Sequence, residues 1–155
     1  MKGFLRERRL KTRSEAGTLA LGQIVSELLV APKVVILTGD LGAGKTTLVK
    51  GWVAALGMAA AGDVTSPTFS LVHEYVSRTG RKLYHLDLYR LETERELATI
   101  GFDELADDPG ALVLVEWGEK FASVFDRADA ILTIEPPIDP SGPDERSFTL
   151  RWTDR

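Results

Sequence analysis

Hydrophobic positions recur in two rhythms along this chain. Leu21, Ile24, Val25, Leu28 and Leu29 fall at helical spacing, which predicts an amphipathic helix with one core-facing stripe. Thr12-x-x-Glu15 has the form of a capping box that would open this helix, and Pro32 would close it. Val34–Thr38 is apolar throughout, the pattern of a central parallel strand covered on both faces. Thr46–Leu56 then reads as a helix stopped by Gly57. Two strand candidates follow, Ser70–Val76 and Lys82–Leu88, joined by a hairpin connection that turns at Gly80. An acidic helical stretch runs from Thr93 to Ile100, and Gly101 interrupts it before Phe102–Leu105. Ala111–Val115 is the second fully apolar run, and it ends in Glu116. A short helix over Glu119–Phe125 and strands at Ala130–Glu135 and Arg146–Trp152 complete the pattern. Between those last two strands, Pro136–Asp144 carries Pro136, Pro137, Pro140 and Pro143 and reads as a loop. This alternation predicts an α/β fold: a mainly parallel central sheet, flanked by helices and extended by antiparallel strands.

Length and composition narrow the classes. With 155 residues the expectation is one domain over 1–155, with 1–11 as a flexible N-terminal segment. No stretch approaches the roughly 20 apolar residues of a membrane span, and the basic N-terminus leads into no apolar signal region. Cysteine is absent, which excludes disulfides, thiolate zinc sites and cysteine nucleophiles and makes the cytoplasm the expected location. A net charge of −4 argues against a broad nucleic-acid-binding surface. The early basic cluster of Arg6, Arg8, Arg9, Lys11 and Arg13 reads as a solvated, partly disordered terminus, with a docking patch as the alternative.

The chemistry concentrates after the first apolar strand. Gly39-Asp40-Leu41-Gly42-Ala43-Gly44-Lys45-Thr46 spells G-x-x-x-x-G-K-[ST], the phosphate-binding P-loop, in the order strand, loop, helix. Such a turn aims backbone N–H groups at one point, Lys45 adds a point charge for the β- and γ-phosphates, and the Thr46 hydroxyl suits Mg²⁺. Glycines let the backbone approach the phosphates without a Cβ in the way. Hydrolysis or transfer also needs a metal-fixing carboxylate and a group to position the attacking oxygen. Glu116 ends a continuously apolar strand and is assigned to Mg²⁺, directly or through water; Asp87 ends an alternating strand and is left to polarise the attacking water, to bind a metal-bound water, or to bond a nearby turn. Thr65-Ser66-Pro67-Thr68 stands where a γ-phosphate-sensing switch would sit, although an ordinary polar turn reads the same. His73 and His85 read as hydrogen-bonded structural residues, and Trp117 as core packing or a partner-facing aromatic. The absence of asparagine removes the Asn-Lys-x-Asp guanine-reading segment, so ATP is the expected nucleotide. Arg90 is the nearest arginine to Asp87, and no arginine finger is identifiable.

Together the P-loop Gly39–Thr47, Thr65-Ser66-Pro67-Thr68-Phe69-Ser70-Leu71-Val72, Tyr84-His85-Leu86-Asp87-Leu88-Tyr89-Arg90-Leu91 and Leu114-Val115-Glu116-Trp117 resemble the bacterial TsaE (YjeE) family. The resemblance covers roughly Glu15 to Arg146. It implies an accessory ATPase of tRNA threonylcarbamoyladenosine biosynthesis that acts with the TsaB and TsaD proteins and reaches tRNA indirectly through their complex, direct contact being unread. It also implies that Thr46 and Glu116 hold Mg²⁺, that Gly42, Ala43, Gly44, Lys45, Thr46 and Thr47 cradle the phosphates, and that Asp87 is needed for hydrolysis. Glu15 and Arg146 look like outlying nucleotide contacts. Gly118 departs from the family, where many relatives carry proline. Two other readings remain open: a binding module whose ATP-held Thr65–Phe69 segment docks partners, and a small-molecule kinase.

Overall fold

The computed structural model describes residues 4, 6–30, 33–39, 44–67, 70–135 and 145–153. Its centre is β2 (Lys33–Thr38), parallel to both β5 (Ala111–Glu116) and β6 (Ala130–Glu135); β4 (Lys82–Asp87) runs parallel to β5 on its far side. Three antiparallel strands extend this core: β3 (Val72–Val76) beside β4, β7 (Arg146–Trp152) beside β6, and β1 (Arg6–Thr12) beside β7. The sheet order is β1-β7-β6-β2-β5-β4-β3. The expected α/β class with its mainly parallel centre is therefore the observed one.

Alternation along the strands separates two cores. Val35, Leu37, Leu112 and Leu114 face α1 (Glu15–Leu28) and α2 (Lys45–Ala55), meeting Leu21, Val25, Leu48 and Trp52. Ile36, Val113 and Val115 face the other way, onto Leu97 of α3 (Glu94–Thr99), Phe102 of α4 (Phe102–Asp107) and Val124 of α5 (Ala122–Arg127). Both faces of β2 and β5 are thus covered, which is why their sequences carry no polar alternation. Where α1 crosses α2, a Cβ on Gly22 would lie 2.3 Å from the Gly51 carbonyl carbon, and a Cβ on Gly51 would lie 2.0 Å from the Leu19 oxygen. The two backbones touch, and that contact sets how closely α1 and α2 lie side by side.

Several expectations are corrected. Ser14, not Thr12, caps α1, its hydroxyl accepting the Gly17 amide at 2.9 Å. Thr12 instead ends a strand and bonds the Thr18 hydroxyl at 2.8 Å in a buried position. The N-terminal segment read as flexible forms β1 over Arg6–Thr12, because Leu10 and Thr12 pack inward while the charges stay in water. Ile24 leaves the predicted stripe and is 39% exposed. The helix expected over Glu119–Phe125 divides into a 3-10 turn at Gly118–Lys120 and then α5. Pro32 and the Pro136–Asp144 loop lie outside the described residues. Among the described residues, no helix is long and apolar enough to cross a membrane.

Candidate nucleotide site

The site forms where β2, β4 and β5 end together and α2 begins. Gly44 caps α2 at φ 105°, a backbone that strongly favours glycine, and among the described residues an added Cβ there would meet only Thr18 Cγ2 at 4.0 Å. Gly42 and Ala43 lie outside the described residues. Lys45 is the first residue of α2 and only 6% exposed. A buried ammonium must be paired. Its Nζ donates to the Gly39 carbonyl at 2.9 Å, stands 3.6 Å from Glu116 Oε1, and lies 5.0 Å from the centre of the Trp117 ring.

Glu116 is held from two sides. Opposite Lys45, its Oε2 accepts a 2.6 Å hydrogen bond from His85 Nε2, while His85 Nδ1 has no partner among the described residues. Burial pushes the Glu116 carboxyl upward, but the His85 hydrogen bond and the neighbouring positive charge of Lys45 outweigh burial and hold it below its ordinary value. Asp87 is the Cα partner of Glu116 across the β4–β5 ladder. It too is buried, and its Oδ1 accepts the Tyr89 amide at 3.0 Å. Sequence order did not disclose the His85 contact: strand alternation puts His85 and Asp87 on one face, but the reach to Glu116 depends on the β4–β5 register.

The other candidates lie around this centre. Thr46 and Thr47, in the first turn of α2, are half-buried. Thr65 is exposed, its carbonyl 3.2 Å from His73 Nδ1. Its loop is tied to the site through Leu71, at φ 68°, which donates to the Pro67 carbonyl at 2.7 Å and accepts the Asp87 amide at 3.0 Å. Thr68 and Phe69 lie outside the described residues. Glu15 and Arg146 occupy a different corner: Arg146 pairs with Thr12 across β1–β7, and Glu15 opens α1 one turn before Thr18, the residue that faces Gly44.

Two residues gain roles that the sequence did not disclose. Trp117, at φ 64°, stacks on Tyr89 with ring centres 5.1 Å apart; the indole is half-buried and Tyr89 is 53% exposed. A tryptophan in that backbone region is strained by about 1–3 kcal/mol, so its surroundings must hold it there. Lys120 Nζ donates to the carbonyls of Leu88, Tyr89 and Leu91 at 3.4, 2.9 and 2.7 Å, binding the turn after β5 to the loop after β4. Gly118 is enclosed: a Cβ would meet Val124 Cγ1 at 2.9 Å and Val115 Cγ1 at 3.0 Å.

A family model described as threonylcarbamoyl adenosine biosynthesis protein TsaE matches residues 12–142. The chain belongs to the TsaE family. Relatives bearing the name tRNA threonylcarbamoyladenosine biosynthesis protein TsaE include one from Nostoc sp., 46% identical over 107 residues, covering 66% of this chain and 63% of the relative. The match to the Haemophilus influenzae relative likewise spans 61% of that protein, so the chain aligns with less than two thirds of either. The Bacillus subtilis relative is 33% identical over 146 residues, covering 94% of this chain and 86% of its own. The crystal structure of Bacillus subtilis YdiB superposes with a TM-score of 0.71 at 27% identity, covering 99% of this chain and 90% of that one.

Proposed function

We propose that this chain is an Mg²⁺-dependent ATPase serving as a cytoplasmic accessory subunit in tRNA threonylcarbamoyladenosine formation, with TsaB and TsaD as its protein partners. The observation that carries this reading is the buried Lys45 ammonium at the first turn of α2, paired with Glu116 from the neighbouring strand end. Its chemistry fits a nucleotide: an amine that must be neutralised, at a helix N-terminus that favours anions, beside hard oxygen donors on Thr46 and Glu116 that suit Mg²⁺. Mg²⁺, when bound, supplies neutralisation of the phosphate charge. Lys45 exchanges Glu116 for phosphate oxygens, which leaves Glu116 Oε1 free while His85 keeps Oε2 in place. Asp87 orients the water that attacks the γ-phosphorus, yielding ADP and inorganic phosphate, and Lys45 balances charge as that bond forms.

ATP turnover is measured with Mg²⁺, alone and with TsaB and TsaD from one organism. Turnover that rises with the partners and vanishes in Lys45→Ala is expected; undiminished turnover in Lys45→Ala overturns the assignment. The docking-module reading draws on the Asp87–Leu71–Pro67 hydrogen bonds, which link the Thr65 loop to the site. Equal partner affinity with ADP and with a non-hydrolysable ATP analogue would remove it.

A further inference from the structure

We propose that the open edge of β1 is a docking strip for the phosphate backbone of a folded RNA. Five of the eight residues from Arg6 to Arg13 are basic and only Glu7 is acidic, in a chain whose net charge is −4. The fold turns this local excess into a surface. β1 is the terminal strand of the sheet, so one of its edges pairs with β7 and, among the described residues, no strand pairs with the other. Leu10 packs onto the core on the α1 side, so by alternation Arg6 and Arg8 share that side while Arg9 and Lys11 leave the opposite face. Cationic side chains therefore flank the open edge from both faces. Arg9 and Lys11 are 75% and 58% exposed.

The charges that Arg9 and Lys11 meet do not consume them. Glu7 faces Arg9 at 3.5 Å and Arg151 at 2.8 Å, and Lys11 meets Glu145. Exposed pairs of this kind contribute little and exchange readily for phosphate. Arg151 adds a further cation beside the strip, on β7.

Charge also selects the occupant. A second copy pairing edge to edge would set this cationic strand against itself, which like-charge repulsion opposes. An acidic strand added to the edge would also oppose these charges, pair by pair on both faces, so competition with polyglutamate is part of the test. A polyanion running along the edge engages both rows, and four of the five basic residues are arginines, whose planar fork matches phosphate oxygens. The overall negative charge is no obstacle at contact, because at physiological salt fields are screened within about 8 Å. Strand spacing places the strip roughly 14 Å from β2, beyond β7 and β6, so RNA here leaves the nucleotide cradle accessible. The strip extends the tRNA role proposed above to direct contact, but its evidence is the strand itself.

The test is anisotropy of a fluorescent transcribed tRNA titrated with the full chain at 50 and 200 mM salt. Wild type is expected to bind, and more weakly at the higher salt. The Arg6→Gln/Arg8→Gln/Arg9→Gln variant is expected to bind at least tenfold more weakly. Its slope of log affinity against log salt should be shallower by about 2 to 3, one counterion for each phosphate that the variant no longer neutralises. Its melting temperature and ATP turnover should match wild type, since these side chains lie outside the nucleotide site. Absence of wild-type binding at 50 mM salt, or equal affinity in the variant, overturns the proposal. So does displacement of the tRNA by polyglutamate at the same charge concentration, which would indicate an acidic protein partner. Loss of turnover in Lys45→Ala is scored separately, so the ATPase reading and the strip stand or fall independently.

Discussion

Replacing His85 with alanine removes the hydrogen-bond donor that holds Glu116 on the side away from Lys45. His85 is fully buried and its Nε2 lies 2.6 Å from Glu116 Oε2. A hydrogen bond to a charged group contributes about 1.5–3 kcal/mol, and the donor's removal strips a buried carboxylate of half its support. Loss of the ring also leaves a void on the order of 60 Å³, worth roughly 1.5 kcal/mol if the surroundings do not collapse. The sum is about 3–4.5 kcal/mol, which for a chain of this length lowers the melting temperature by roughly 10 °C.

His85→Gln distinguishes the two contributions, because its amide fills most of the void and can still donate. Urea unfolding at pH 7, followed by circular dichroism, should place Gln at least ~1 kcal/mol above Ala. Equal stabilities for the two variants would show that volume alone matters at this position and would refute the hydrogen-bond argument. The pH dependence carries the same logic. In wild type the depressed Glu116 carboxyl contributes stability that is complete above its ordinary value of 4.5 and is lost as pH falls through the lower folded value. His85→Ala removes a main depressing influence while burial persists, so the carboxyl moves upward and the variant loses less stability on acidification than wild type.

Other perturbations follow from close contacts. Gly51→Ala places a Cβ 2.0 Å from the Leu19 oxygen, so α1 must retreat about 1.4 Å to reach an ordinary 3.4 Å contact. The net cost should be about 1–3 kcal/mol despite alanine's better helix propensity, and an unchanged melting temperature would show that the helices separate freely. Lys120→Met keeps the side-chain bulk but removes three bonds to the carbonyls of Leu88, Tyr89 and Leu91. Hydrogen exchange at the Leu91 amide, bonded to the Leu88 carbonyl at 3.0 Å, should accelerate about tenfold for each 1.4 kcal/mol by which the loop is locally destabilised. Wild-type protection there would mean that Lys120 does not hold the loop.

What the sequence made legible was local or periodic. β2 and β5 were readable as central strands because burial on both faces leaves an unbroken apolar run. The hairpin was readable because Gly80, at φ 86°, sits between two strand-like segments. β1 was not, because Arg6-Glu7-Arg8-Arg9-Leu10-Lys11-Thr12 has almost no apolar content and becomes a strand only by pairing with β7, Arg6 opposite Trp152. The cap was misplaced for the same reason: once the strand extends to Thr12, Ser14 is the hydroxyl left at the start of the helix. The Gly22–Gly51 crossing had no sequence signal, since a glycine in a helix pattern does not disclose what its missing side chain admits.

The two carboxylates show most clearly where sequence reasoning reached its limit. Asp87 and Glu116 both end strands, both are buried, and they are direct partners across one ladder. Only strand order separates them. β5 adjoins β2, whereas β4 lies one strand further out, about 4.8 Å more from the turn that carries Lys45. Glutamate has the extra methylene and the nearer strand, and it meets the ammonium; aspartate has neither, and its Oδ1 accepts the amide of its own turn at Tyr89. Unbroken apolarity marked β5 as central, which put Glu116 within reach of Lys45. Nothing in the spacing of residues 85, 87 and 116 could reveal that the histidine two residues before Asp87 reaches across the ladder to Glu116. That contact depends on register, which is set by the packing of the whole sheet.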